Sequence, residues 1–251
     1  RKPSEYGVQQ MNSLLRGAGL SLALLLFGSA TASADAIMYL DDTSTVGIDV
    51  IISDDGALGT ATDIGNSNQL DANAASGVVT YIGSVGPWIV NVTTGISKPV
   101  FGPEPKIDLN SLTVSGGSGT IIVGFADKGF TWPYDPVEAV LSLGGTTNGS
   151  VQLRATIDNG NENFGATPLG NASAQIVTPV YSGGAFSDTV YFDGAAAGAF
   201  ALGVEIAITH TEAGQGTSLD AELTVTPEPG SIALCGLAVL GFAVYRRRRS
   251  A

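Results

Sequence analysis

Ser218-Leu219-Asp220-Ala221-Glu222-Leu223-Thr224-Val225 is the stretch that decides the fold of this 251-residue chain. Leu219, Ala221, Leu223 and Val225 alternate with Ser218, Asp220, Glu222 and Thr224. A period of two places the first set on one side of a strand and the second on the other, so one face lies on a core and the other in water. Moving outward, the sequence keeps repeating short apolar or alternating runs bounded by Gly, Asn, Asp and Pro. Strands are expected at 37–40, 47–52, 78–82, 88–93, 107–114, 120–126, 137–143, 150–157, 174–177, 189–192, 200–209 and 218–225. No segment between 35 and 226 keeps a helical period over three turns, although 195–201 allows a short helix, and 56–76 is a long polar gap.

The turns have a chemical basis. Ser115-Gly116-Gly117-Ser118-Gly119 tolerates positive φ at several positions, so 107–114 and 120–126 are expected to form a hairpin. Gly144-Gly145 and Asn148-Gly149 are expected to turn 137–143 back onto 150–157. A dozen short strands with no fixed internal repeat point to an all-β fold, a single β-sandwich of the jelly-roll type, rather than a solenoid or propeller.

Charge is divided by position. The chain carries 11 basic and 23 acidic residues, a net of −12. Arg1, Lys2, Arg16 and the run Arg246-Arg247-Arg248-Arg249 lie near the ends. Lys98, Lys106, Lys128 and Arg154 face 22 carboxylates between residues 35 and 229, a net of −18 there. Such a surface disfavours nucleic acid as a partner. One cysteine, Cys235, excludes a disulfide framework.

The first residues, 1–10, read as an extension upstream of the true start at Met11. Residues 11–34 have the three parts of a secretory signal peptide: Arg16, an apolar helix at 18–27, and a small-residue tail. Ala32-Ser33-Ala34 fits the A-x-A cleavage pattern, which sets the cut by signal peptidase before Asp35; Ala30-Thr31-Ala32 is the second choice. At the other end, Pro227-Glu228-Pro229 is a breaker, since proline fixes φ and lacks an N–H. Ile232 to Tyr245 is an apolar helix candidate without charge, and the four arginines after it would hold that end on the cytoplasmic side of a membrane. At 14 residues it is short for a span, which suits a temporary anchor.

This order of Pro-Glu-Pro, apolar stretch and arginine run resembles the PEP-CTERM sorting signal of Gram-negative bacteria. The resemblance covers about 27 residues. It implies export through the inner membrane, cleavage by an exosortase near Pro227, Glu228 and Pro229, and delivery to the cell surface or a biofilm exopolysaccharide matrix. The chain then divides into a signal peptide at 11–34, an all-β domain at 35–226 and a sorting signal at 227–251.

Catalytic constellations are sparse. His210 lies in phase with Val204, Ile206 and Ile208, which reads as a structural histidine at a strand end. No G-x-S-x-G elbow and no phosphate loop occurs. Asp41-Asp42, Asp54-Asp55 and Asp188 with Asp193 are the densest carboxylates; Ca²⁺ is the ion such loops would take, but none has the D-x-[DN]-x-[DN]-G spacing. No catalytic residue and no cofactor is therefore expected. The alternative to a non-enzymatic surface protein is a carbohydrate-binding module, with Trp132 and Tyr134, aided by Trp88, as sugar-stacking rings. A secreted hydrolase is the third reading and requires a cleft holding His210 or two close carboxylates.

Overall fold

Alternation places Val137, Ala139, Leu141 and Leu143 on one face of a strand, and Val151, Leu153, Ala155 and Ile157 continue that pattern. All eight are buried. In the computed structural model, which describes residues 35–54, 71–102, 104–132, 137–163, 174–194, 198–227 and 237, they belong to one strand of 22 residues. The signal peptide, Tyr134, Glu228, Pro229, the arginine run and the apolar stretch other than Leu237 lie outside the described residues, so neither expected terminal helix is described.

Eleven strands form among the described residues: β1 (Ile37–Asp42), β2 (Val50–Ser53), β3 (Val78–Val85), β4 (Trp88–Ile96), β5 (Lys106–Ser115), β6 (Gly119–Thr131), β7 (Val137–Asp158), β8 (Ala174–Val177), β9 (Tyr181–Gly194), β10 (Ala199–His210) and β11 (Gly216–Pro227). All pair antiparallel along the path β2-β1-β6-β10-β7-β11-β5-β4-β3, with β8 and β9 also on β7. The first part of β7 pairs with β11, from Val137 opposite Pro227 to Thr147 opposite Thr217. Its second part pairs with β10, from Ser150 opposite Thr209 to Asp158 opposite Ala201. The strand thus passes from one layer to the other near Asn148-Gly149, as strands do at the corners of sandwiches.

One layer is β2-β1-β6-β10 with the second part of β7; the other is β3-β4-β5-β11 with the first part. Met38, Val123, Phe125, Ile206 and Leu153 of the first meet Val79, Val90, Leu109, Leu223 and Leu141 of the second in one buried cluster. Phe125 of β6 lies so close to Gly95 of β4 that a Cβ at 95 would overlap its ring. Glycine here sets the spacing between the layers.

The expected all-β sandwich is present, and the alternation at 218–225 lies as read: Leu219, Ala221, Leu223 and Val225 are buried. Three expectations change. β5 and β6 do not pair; the glycine-rich link between them carries the chain across the sandwich, because each strand finds its partners in a different layer. The turn expected at 144–149 is strand, since its glycines serve contact rather than reversal: a Cβ at Gly145 would meet Ser218 O and Leu219 on the neighbouring β11. The helix suspected at 195–201 gives way to β10, which starts at Ala199; 195–197 lie outside the described residues.

Gly95→Ala is expected to cost roughly 1–3 kcal/mol by overpacking, read as a lower midpoint of thermal unfolding. Phe125→Leu, mild by itself, should recover part of that loss in the double variant. Additive losses would show that the two residues do not share the contact.

Candidate functional site

Two places carry functional interest: the point where the last strand meets the sorting residues, and the outer face of the layer to which that strand belongs.

At the first, β11 is held on both sides. Its pairing with β5 runs to Thr224 opposite Lys106, and its pairing with β7 runs on to Pro227 opposite Val137. Val225 donates its N–H to Pro105 O at 3.0 Å. Lys106 and Glu222 form an ion pair at 2.7 Å, with the Lys106 ammonium 4.7 Å above the Phe101 ring centre. Pro227 is the last residue of the strand, a position where the missing N–H costs the sheet nothing. Of the sorting residues read from the sequence, Pro227 therefore lies in the sheet. Glu228, Pro229, Ile232, Tyr245 and Arg246 to Arg249 fall outside the described residues, as do Ala32 and Ala34 of the signal cleavage site.

At the second, a groove of about 420 Å³ crosses β5, β11, β7 and β9. Asp108, Asn110, Ser142, Asp220, Glu222 and Thr189 line it. A bulge shapes its floor: the register of β11 against β5 shifts between Leu219 and Ala221. Opposite it Ser111 takes a φ of 58° and donates its N–H to Asp220 Oδ1 at 2.6 Å. Burial pushes the Asp108 carboxyl above its ordinary range, Glu222 and Asp220 push it further, and Lys106 opposes them. Tyr191, 59% exposed and two residues beyond Thr189 on the same strand, gives this face an aromatic ring.

The aromatic residues chosen from the sequence are placed differently. Trp88 is fully buried, with its ring centre 5.1 Å from that of His210. Trp132 is partly buried and packs against the core, and Tyr134 lies outside the described residues. Sequence reasoning thus missed Tyr191 and the groove as such, although Asp188, singled out there among the densest carboxylates, is part of its lining. The signal was present in the polar half of 218–225, since Asp220 and Glu222 were read as a solvent face and that face is the groove.

His210 is buried at 1% exposure, with Nε2 3.0 Å from Thr217 Oγ1. Burial lowers its pKa, and a hydrogen bond with the Gly117 backbone acts against this. A third polar cluster holds β1, β10 and β7 together: Tyr39 donates to Glu205, and Arg154 Nε donates to Glu205 Oε2 at 2.6 Å. Burial and the Glu205 carboxylate keep the Tyr39 hydroxyl protonated. Among the described residues no group of three His, Cys, Asp or Glu is placed to hold a metal ion. No helix among them is long and apolar enough to cross a membrane.

The sequence profile of the PEP-CTERM protein-sorting motif matches residues 225–249. No curated protein matches the chain. Among solved structures, TmCBM61 in complex with β-1,4-galactotriose is similar at 11% identity and a TM-score of 0.31, over 58% of this chain and 92% of that one. TmCBM27, a carbohydrate-binding module described for mannan recognition, is similar at 12% identity and a TM-score of 0.29, over 60% and 80%. The enzymatically active domain of tailspike protein 4 from bacteriophage CBA120 is similar at 12% identity and a TM-score of 0.29, over 57% and 20%. The fold assignment rests on the strand order and register given above.

The raised Asp108 carboxyl has a pH consequence. A carboxyl lifted in the folded state favours folding while protonated, below its unfolded value of about 4, and that contribution is lost as pH rises through the folded value. Asp108→Asn should therefore raise the thermal midpoint at pH 7 and change it less at pH 4. An equal shift at both pH values would contradict the assignment.

Proposed function

Because this chain carries the PEP-CTERM protein-sorting motif at residues 225–249, we propose that it is exported through the inner membrane of a Gram-negative bacterium, trimmed at both ends, and delivered to the cell surface or exopolysaccharide matrix as a non-enzymatic β-sandwich. The observation that carries this reading is the continuity of the motif with the fold. Its first three residues, 225–227, complete β11, so the motif begins inside the sheet. Signal peptidase removes the leader, an exosortase acts on the tail, and the membrane is a transient partner through 232–245. The inward placement of His210 supports a structural role for it. Four carboxylates paired on the domain's lysines and arginine leave the remainder to keep the exported protein soluble.

A second reading is favoured by the groove on the outer face of β5, β11, β7 and β9. Its lining of carboxylates, an amide and hydroxyls offers acceptors and donors to sugar hydroxyls, and Tyr191 supplies a ring face beside it. In this reading the delivered domain binds matrix polysaccharide, with Ca²⁺ as a variable to be tested rather than a required cofactor.

Two experiments test these readings. Glu228→Ala with Pro229→Ala, which leaves β11 untouched, should retain the tail and yield a heavier, membrane-bound product; unchanged release would contradict the sorting role. Affinity electrophoresis of the secreted protein against the host's own exopolysaccharide, with and without Ca²⁺, should show retardation that Tyr191→Ala weakens by roughly tenfold, about 1.4 kcal/mol. Equal mobility of both proteins with and without polysaccharide would remove the second reading.

A further inference from the structure

The first described residue, Asp35, is gripped at three points. Its backbone N donates to Asp127 Oδ1 at 3.0 Å, its Oδ2 lies 2.7 Å from Lys128 Nζ, and its carbonyl accepts from Asn163 Nδ2 at 2.9 Å. Asp127 is completely buried, on β6 where the register against β10 is irregular. Its Oδ1 also accepts from the Lys128 N–H at 2.8 Å, and its Oδ2 accepts from Ser97 Oγ and Lys98 Nζ, both at 2.6 Å. Lys98 is itself buried, with its ammonium 4.5 Å over the Phe130 ring centre. Asp54 completes the surroundings: its N–H bonds Ala36 O at 3.0 Å, and Asp127 acts on its carboxyl electrostatically. The contacts around Asp35 thus set two carboxylates, Asp35 and Asp127, against two ammonium groups, Lys98 and Lys128, with Asp54 and, beyond it, Asp71 adding negative charge nearby.

A cation at the Asp35 nitrogen would directly face the buried Asp127 carboxylate in surroundings that are net acidic. We propose that the leader is removed between Ala34 and Asp35 and that the amino group so released is held by Asp127 as an ion pair, making this socket the seat of the mature amino terminus. The proposal rests on the export reading. In the step, water adds its hydroxyl to the Ala34 carbonyl carbon, the Ala34–Asp35 C–N bond breaks, and the departing nitrogen takes the hydrogen and is then protonated to ammonium. The neutral N–H bond at 3.0 Å becomes a charge-assisted one, roughly twice as strong. The second A-x-A site, ending at Ala32, would leave Ser33 and Ala34 ahead of Asp35. The nitrogen facing Asp127 would then stay an uncharged amide, and the buried carboxylate would gain nothing. The two candidate cuts differ in whether they use the socket.

The test uses the protein recovered from the exported fraction of its host. Amino-terminal sequencing should read Asp35 first. Its α-amine should react with an acylating reagent at least tenfold more slowly in the folded protein than in the urea-unfolded chain, and Asp127→Asn should abolish that protection. Since this variant leaves Lys98 without its carboxylate and risks misfolding, a second one inserts Ala-Ser between Ala34 and Asp35. That insertion keeps Asp127 and moves the amine two residues outward. It should restore full reactivity and lower the thermal midpoint by several degrees. A start at Ser33, or a start at Asp35 with an amine as reactive as in urea, would overturn the proposal while leaving export intact. Failure to find any exported, leader-free protein would overturn both.

Discussion

β11 is hydrogen-bonded on both sides, to β5 and to β7, and it is the last strand among the described residues. That position constrains everything around it. The second layer is incomplete without β11, because it lies between β7 and β5 and joins them. Its inward residues, from Leu219 to Val225, are core residues rather than an appendage. Only residues 228–231 separate the sheet from the apolar stretch, at most ~14 Å of extended chain. The residues that follow Pro227 are thus joined directly to a strand in the middle of the sheet.

β7 makes the second layer depend on the first. It gives its first part to β11 and its second to β10 and β8, while β9 pairs along the first part and on to Val151, so the two layers share one continuous backbone. Electrostatics follow the same economy. Each of the four basic residues of the domain is paired with a carboxylate: Lys98 with Asp127, Lys106 with Glu222, Lys128 with Asp35 and Arg154 with Glu205. The pairs are not equivalent. Lys98–Asp127 is buried and joins the 97–105 connection to β6, where breaking one partner would strand a charge. Lys106–Glu222 is partly exposed and contributes less. With every cation engaged, the domain surface is left acidic.

Much of this was legible in the sequence, and the failures have physical causes. The alternation at 218–225 gives the strand, its buried face and its continuation into Pro227. The apolar runs locate the other strands, most closely at 174–177, which is β8, but β9 starts at Tyr181, eight residues before the expected 189–192, and 137–143 with 150–157 is the single strand β7. Pairing was not legible. Gly-rich links read as hairpins because φ freedom is a local property, whereas β5 and β6 part company and 144–149 stays extended for reasons that lie on neighbouring strands. The groove was visible only as a polar face, since a concave surface arises from strands distant in sequence. Trp88 illustrates the converse: an aromatic residue near turns looks available to a ligand, yet it packs beneath His210 in the core.

The central claim is that the sorting motif begins inside the sheet, and the residue at which the exported protein ends tests it most directly. Fragment mass spectrometry of the mature protein should place its carboxyl terminus between Pro227 and Ser231, leaving β11 whole. A terminus at Val225 or earlier would remove paired core residues from the middle of a sheet and would contradict the account.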